Sequence, residues 1–488
     1  MVKYRPSKFF VISMASLCPL VVALVFGLLP ELEAMRNPPI RGEFTFPKDR
    51  PVLKTKDGAS TDKGGSAGWS MDWFQENYEK LATWDKNPWK TKRIGFGDHY
   101  TDLLWSENPA DQAKAKEIRR LSEALHQRLL ERYPELAVPD RKVPPERNGF
   151  LKFLELSERF DADPKRPGTR KCKGIGFPDE FDKQLTGQAP WNADAVRRWL
   201  AGEKLLMDEI RAIGLMTEQS TAGIEIDRWA FISARLAKSC TDALLMEARL
   251  AAEEGDVARA LESVQAANGL ANHIGNVESP SLLAVTVQIL VQMQTQKYAL
   301  TEIIPALPAG KLDPAAWENV LNPVASPPGE FARIMKGEWN AVVREYLLPM
   351  VCDTEDPKYP PDPEALLDFY SGGFLDVVQD HEGRPLSDLP SIQVSSVFPD
   401  NSHLSRQSRQ LTEMLFIGAR AWRKGWDRTQ SAAAMTQAAF AIMKGQPLPN
   451  DPIYGQPYRW NPATRELSPP DSPAFKELEL KPITVPKP

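Results

Sequence analysis

The segment at residues 9–29 contains no charged side chain, and it constrains the chain more than any other feature. Lys3, Arg5 and Lys8 precede it, and Glu31 follows it. At about 1.5 Å rise per residue, a helix of this length spans a hydrocarbon core of roughly 30 Å. Because basic flanks stay in the cytoplasm, the segment predicts a single-pass anchor in the inner membrane, with the rest of the chain exported to the periplasm.

Two other export signals fit this segment less well. A cleaved signal peptide has a shorter apolar region, roughly 7–15 residues, and a small-x-small cleavage site, whereas the residues after Leu29 offer a poor one. A lipoprotein signal at Cys18 needs a small residue before the cysteine, but Leu17 stands there. Pro19 is acceptable because membrane helices tolerate proline better than short soluble helices do. We therefore expect an uncleaved anchor, with cleavage as the alternative.

Composition predicts a large helical domain beyond the anchor. Hydrophobic residues make up 42% of the chain, enough for a sizeable core, and strong strand signals are few. The 43 prolines predict many helix stops. The net charge is −5, with acidic and basic residues interspersed, so we expect no nucleic-acid partner. The predicted fold class is mainly α: one transmembrane helix, then an irregular, proline-interrupted multi-helical domain with a short extended C-terminal segment.

The sequence divides into five predicted segments. They are the cytoplasmic N-terminus at 1–8, the anchor at 9–29, a flexible stalk at 30–68, a helical exported domain at 69–460 and a proline-rich tail at 461–488. The loop-like composition near 161–190 suggests an internal boundary. Residues 69–89 concentrate tryptophans, which we interpret as helix core; a sugar-stacking platform is the alternative.

Apolar spacing of three and four residues predicts the main helices. The predicted spans are 111–133, 148–160, 192–210, 232–253, 257–271, 314–321, 330–346 and 406–444. The pair 232–253 and 257–271 resembles one tetratricopeptide-like hairpin, with Gly255 as C-cap and Asp256 as N-cap. Residues 281–300 are apolar on nearly all sides, but four glutamines make them a poor second membrane span. We expect a central core helix there, and an acidic surface loop at 351–363.

Cysteines and histidines define no metal or cofactor site. Cys172, Cys240 and Cys352 are the exported cysteines; one disulfide with one free thiol and three buried thiols are both open. The five histidines are scattered, without the spacing of a zinc site. No catalytic, cofactor-binding or metal-ligating residue is assigned.

Four stretches carry a resemblance to a known group of proteins. They are PERNG at 145–149, the helix DAVRRWLAGEKLL at 194–206, the region 261–338 that ends in Gly-Glu, and NDPIYGQPYRW at 450–460. Together they resemble uncharacterised secreted or membrane-anchored helical proteins of planctomycete-type bacteria, which end in a D-P-x-x-G-x-P-x-x-W/Y motif. The resemblance implies a helical envelope protein. It covers about the last two thirds of the chain.

The closing motif also has a mechanical interpretation. Asp451-Pro452 starts a turn, Gly455 permits a positive φ, and residues 457–460 leave as an extended strand. A similar turn closes type II secretion pseudopilins, which also have an N-terminal apolar helix. Residues 1–10 lack the pseudopilin processing motif and this chain is far longer, so a pseudopilin-like secretion component is a distant alternative.

The sequence favours a non-enzymatic function. An anchor, a stalk and helical hairpins without a reactive cluster predict a membrane-anchored interaction or structural module, with the membrane and other envelope proteins as partners. An envelope hydrolase is the alternative, and glycan binding at residues 69–89 a distant one. The two juxtapositions of interest for a hydrolase are Asp98-His99-Tyr100, and Glu278-Ser279 near His273. Each is more typical of a turn or a helix cap, since no catalytic motif accompanies it.

Overall fold

The computed structural model describes residues 98–160, 175–225, 228, 234–321, 329–356, 359–381, 403–405, 408–409, 412, 419–452, 454–478 and 480–487. The predicted anchor, the stalk and the tryptophan-rich segment at 69–89 lie outside these ranges. Within them, the chain is mainly α-helical, as the sequence predicts. Of the helices described, none is both long and apolar enough to cross a membrane.

Three helices open the described chain. They are α1 (Asp98–Leu104), α2 (Pro109–Arg132) and α3 (Gly149–Phe160), with a 3₁₀ turn at Pro134–Leu136 after α2. Asn108 begins α2 because its side chain accepts a hydrogen bond from the Ala110 N–H at 3.0 Å. Both α2 and α3 lie where the apolar spacing predicts them.

The next three helices differ from the sequence prediction. They are α4 (Asp179–Leu185), α5 (Ala193–Gly202) and α6 (Lys204–Gly214). The loop-like stretch near 161–190 therefore contains a helix, and the single helix expected at 192–210 is divided at Glu203. Asn192 caps α5: its Oδ1 accepts from the Ala195 N–H at 3.1 Å.

A helical hairpin forms the centre of the fold. It consists of α7 (Ala234–Glu253) and α8 (Val257–Gly275). Gly255 has a φ of +79°, and Asp256 Oδ1 accepts from the Arg259 N–H at 3.0 Å, so both predicted caps are present. The helix α8 packs against α6 and α7, which makes it the central helix of the main core.

The apolar stretch at 281–300 is a core helix, α9 (Leu282–Tyr298), which continues through a π turn at Ala299–Ile303. Its glutamines bind neighbouring helices: Gln288 and Gln292 donate to Asn272 Oδ1, at 3.0 and 2.9 Å. Residues that make a poor membrane span thus satisfy polar groups between helices.

The later helices differ in part from the prediction. They are α10 (Pro314–Leu321), α11 (Glu330–Val342), α12 (Leu348–Cys352), α13 (Pro363–His381) and α14 (Ala419–Met443), with a π turn at Val343–Leu347. The start of the predicted acidic loop at 351–363 belongs to α12. The helix α13 was not predicted, although Leu366 and Tyr370 are completely buried on it.

The C-terminal segment is a small sheet rather than a tail. Strands β1 (Arg459–Asn461), β2 (Glu466–Ser468) and β3 (Ile483–Thr484) pair antiparallel in that order, and α15 (Pro473–Leu478) lies between β2 and β3. The predicted boundary at 460 does not divide the fold, because Leu467 and Val485 are buried in the main core.

The turn before the sheet matches its sequence interpretation. Gly455 has a φ of +64°, and Asp451 Oδ1 accepts from the Tyr454 N–H at 2.8 Å. The second oxygen of Asp451 accepts from the Tyr458 hydroxyl at 3.1 Å, which ties the strand entry to the turn.

Candidate functional site

His99, in the juxtaposition Asp98-His99-Tyr100, is hydrogen-bonded to a carboxylate. His99 Nδ1–H donates to Asp353 Oδ2, across a long sequence separation that brings α1 to the end of α12. Lys114 lies on the other side, 3.7 Å from Asp353 Oδ1 and 2.6 Å from Glu355. Asp353 is almost completely buried, whereas the His99 side chain is about one third exposed. Among the described residues, His99 makes no hydrogen bond to a serine, threonine or cysteine.

The second histidine of interest, His273, is part of the core. Its ring is 1% exposed and lies against Gly149, and Nε2–H donates to the Ile213 carbonyl at 2.8 Å. Burial lowers the pKa of His273 from 6.5 to about 4, so the ring is neutral in the folded protein. His273 is not hydrogen-bonded to Glu278 or Ser279.

Glu278 instead binds a loop. Its Oε1 accepts from the Ser220 hydroxyl at 2.8 Å and from the Thr221 N–H and hydroxyl at 3.0 and 3.1 Å. Its Oε2 is buried with no hydrogen-bond partner among the described residues. Ser279 Oγ accepts from Asn340 Nδ2 at 2.8 Å. Both side chains therefore hold segments together.

The PERNG stretch at 145–149 contacts the same loop, at Ser220, that Glu278 binds. Asn148 donates from Nδ2 to the Ser220 carbonyl at 2.9 Å and accepts at Oδ1 from the Ser220 N–H at 3.0 Å. Gly149 N–H donates to the Glu218 carbonyl at 2.8 Å. This reciprocal pairing satisfies buried backbone groups where regular secondary structure does not. We interpret these hydrogen bonds as structural, because they connect loops of the fold.

Two further groups have shifted pKa values: Glu338, which is partly buried, and His126, which is buried. Burial raises the pKa of Glu338 from 4.5 to about 7, opposed by a hydrogen bond that it accepts from the Leu282 N–H at 2.7 Å. Burial, with the positive charge of Arg344 second, lowers the pKa of His126 from 6.5 to about 4. His126 stacks on Trp339 with 5.7 Å between ring centroids.

An open groove lies between the end of α4 and the start of α5. Its volume is about 450 Å³, within the range of small-molecule sites. One aromatic ring, Trp191, contributes to its wall, and Glu180, Gln184, Asn192 and Asp194 supply polar groups. We call this feature the Trp191 groove. It is the candidate functional site, because an aromatic ring and several polar groups converge on one concave surface there.

Contacts from α7 hold Trp191 in place. Its indole N–H donates to Glu253 Oε2 at 2.7 Å, and the guanidinium carbon of Arg249 lies 4.3 Å from the ring centroid. Arg249 is in turn paired with Glu302 at 2.7 Å. The indole is half-buried and its accessible part lines the groove. The ring is therefore oriented before any ligand binds.

Gln184 offers a hydrogen-bond donor to the groove. The residue is 6% exposed, and its Oε1 accepts from the Asn192 N–H at 3.0 Å. Because this donor requires an oxygen, the amide nitrogen is left over, and it makes no hydrogen bond within the described ranges. Gln184 lines the groove, where this amide N–H₂ can donate a hydrogen bond to a ligand.

The rim of the groove is acidic. Glu180 is exposed and forms no ion pair with any residue that the structure describes. Asp194, in contrast, pairs with Arg197 at 2.5 Å, and Arg197 also pairs with Glu254 at 2.7 Å. The groove therefore carries one uncompensated carboxylate.

Sequence reasoning did not single out this groove. Asn192 begins the span predicted at 192–210, but neither Trp191 nor Gln184 is among the candidate residues named from the sequence. The local signal is weak: a Pro-Trp-Asn triplet after a helix end. The long-range partner Arg249 lies on another helix, and a single sequence does not show that pairing.

Neither a metal-binding cluster among the described residues nor a similar known protein indicates what the groove binds. Within the described ranges, no three His, Cys, Asp or Glu side chains converge to hold a metal ion. Cys240 is completely buried in the main core, and Cys352 is a half-buried thiol at the end of α12. No family model, curated protein or solved structure matches the chain.

Proposed function

We propose that this protein is a membrane-anchored component of the bacterial envelope whose helical domain is a non-enzymatic interaction module. In this proposal residues 9–29 anchor it in the inner membrane, and the domain binds other envelope components in the periplasm. The charge pattern around residues 9–29 supports the location.

The Trp191 groove is the observation that carries the binding function. Glu253 and Arg249 hold the Trp191 ring in place. The Asn192 N–H, by donating to Oε1, orients the side-chain amide of Gln184. A site whose groups are already ordered loses little conformational entropy when a ligand binds. The polar clusters elsewhere support the same proposal, because Glu278 and Asn148 use their hydrogen bonds to join loops.

Site-specific photo-crosslinking in cells tests this function. A photoreactive amino acid at Glu180, on the groove rim, should capture an envelope component as a product of higher mass. The matched control is Glu135, an exposed glutamate outside the groove. The same pair of positions in a chain lacking residues 9–29 shows whether anchoring is needed. Equal products at positions 180 and 135, or none at 180, would contradict an interaction module that uses this groove.

The pair of His99 and Asp353 favours an envelope hydrolase as a second candidate. Because the buried Asp353 carboxylate accepts from Nδ1–H, Nε2 of His99 can act as a proton acceptor. Many hydrolases use such a pair, with the histidine as general base and the carboxylate as the group that orients it. Purified protein incubated with peptidoglycan sacculi should then release soluble fragments. A His99→Gln variant should release none, and no release by the unaltered chain would exclude this activity for that substrate.

A further inference from the structure

The charges around the Trp191 groove restrict what it can bind. The guanidinium of Arg249 lies over one of the two faces of the indole ring, so a second cation cannot stack on that face. The free carboxylate of Glu180 on the rim repels an anion. An anionic ligand is therefore disfavoured, and the stacking surface that Arg249 leaves open suits a neutral ligand.

The polar groups of the groove are mixed in kind. Gln184 presents an amide N–H₂ that only donates, and Glu180 presents carboxylate oxygens that only accept. A hydroxyl group can satisfy either one, since it both donates and accepts. A ligand with several hydroxyl groups therefore matches the pair, whereas an apolar ligand would leave the Gln184 amide unpaired at a cost of about 1–3 kcal/mol in general.

We propose that the Trp191 groove binds a neutral saccharide. The inference rests on the proposed function, in which this groove is a binding surface, and it names the ligand class. The apolar C–H face of a sugar ring packs on the accessible part of the Trp191 indole, where the ring quadrupole attracts its hydrogens. Hydroxyls at the edge of the sugar accept from Gln184 Nε2 and donate to Glu180. The volume of about 450 Å³ admits one or two sugar rings.

Saturation-transfer NMR on the purified full chain tests this inference. The protein is kept in a detergent that carries no sugar headgroup. The probes are the tetrasaccharides of β-1,4-linked N-acetylglucosamine, β-1,4-linked glucose and α-1,4-linked glucose. At least one should receive saturation, and titration should give a dissociation constant in the micromolar to millimolar range, an order-of-magnitude expectation for open sites.

Three variants locate the binding. Trp191→Ala should weaken it at least tenfold. Gln184→Glu keeps the oxygen that accepts from Asn192 N–H and replaces the donor in the groove, so it should weaken binding severalfold without loss of fold. Glu135→Gln, outside the groove, should leave it unchanged. Far-ultraviolet circular dichroism checks that each variant is folded, and Gln184→Glu decides the matter if Trp191→Ala unfolds.

The outcomes separate this inference from the proposed function. No binding of any tetrasaccharide, or equal binding by wild type and Gln184→Glu, overturns the saccharide inference. If crosslinks at Glu180 persist in that case, the groove is an interaction surface for another ligand class. Sugar binding that depends on Trp191 and Gln184 supports the inference whether or not a crosslinked neighbour is found.

Discussion

At the scale of single residues, burial changes the proton affinity of Glu338. The pKa rises from 4.5 to about 7, so between these values the folded chain holds a proton that the unfolded chain releases. Stability therefore falls as the pH rises through this window and is constant above it. The Leu282 N–H still needs an acceptor at every pH.

Glu338→Gln should remove this pH dependence. The amide oxygen can accept from Leu282 N–H, so the variant should match wild type at pH 4. At pH 8 it should be more stable, by roughly 1–3 kcal/mol, because it carries no buried charge. Urea unfolding at both values measures the difference. Glu135→Gln is the control, and equal pH profiles for wild type and Glu338→Gln would contradict the shifted pKa.

The pH dependence of stability that His273 contributes is opposite to that of Glu338. Its pKa falls from 6.5 to about 4 in the folded state, so the unfolded chain binds a proton first and stability is lost as the pH drops through this window. His273→Phe keeps a ring against Gly149 but loses the bond to the Ile213 carbonyl. It should be less stable at pH 7 by roughly 1–3 kcal/mol, with a shallower loss towards pH 4.

The measurement for His273→Phe is the unfolding free energy at several pH values from 7 to 4. His126 keeps its own contribution, since its pKa is lowered in the same direction. The slope should therefore diminish without vanishing. A variant that loses stability with falling pH as steeply as wild type would show that His273 does not titrate as a buried group.

At the scale of helices, the close crossing of α6 and α8 depends on two glycines. A Cβ at Gly269 would overlap the Gly214 carbonyl, and a Cβ at Gly214 would overlap the Ala266 carbonyl. These are backbone atoms, so relief requires the helices to separate. The central helix α8 packs closely against α6 because neither glycine carries a side chain there.

Gly269→Ala should destabilise the protein by roughly 1–3 kcal/mol or more through this overlap. Gly202→Ala is the matched control: it also lies in a helix, but nothing lies within 4 Å of its added Cβ. The control should be neutral or more stable by about 0.5–1 kcal/mol, since alanine favours helix. Thermal unfolding compares the two, and equal effects would show that the crossing is not close.

Local signals made several helices predictable and left others hidden. The caps Gly255 and Asp256 define the hairpin from within a few residues, so the sequence predicted it. The break at Glu203 carries neither glycine nor proline, and α13 begins in an acidic, proline-rich stretch that reads as loop. The break at Glu203 and the helix α13 therefore depend on packing against other parts of the chain, which a local sequence pattern does not show. The Trp191 groove was missed for the same reason: Arg249 orients the ring from another helix.

At the scale of the whole molecule, the C-terminal sheet closes the main core. Leu467 on β2 is completely buried, and Val485 after β3 is 1% exposed. Arg465 ties the two strands, since its Nε donates to the Val485 carbonyl at 2.8 Å. A composition rich in proline suggested a tail, but Leu467, Phe475, Leu478 and Val485 are buried in that stretch and make it part of the domain.

Leu467→Ala should therefore destabilise the whole domain, not only the sheet. Removing a completely buried leucine side chain costs roughly 2–5 kcal/mol, because it loses apolar burial and leaves a cavity. Thr484→Ala on the exposed side of β3 is the control and should change stability by less than about 0.5 kcal/mol.

Urea unfolding followed by circular dichroism at 222 nm reports the helices. Since Leu467 belongs to the same core as α7 and α8, the helical signal should be lost in one transition at lower urea. An unchanged helical midpoint in Leu467→Ala would mean that the sheet unfolds independently, as a tail would.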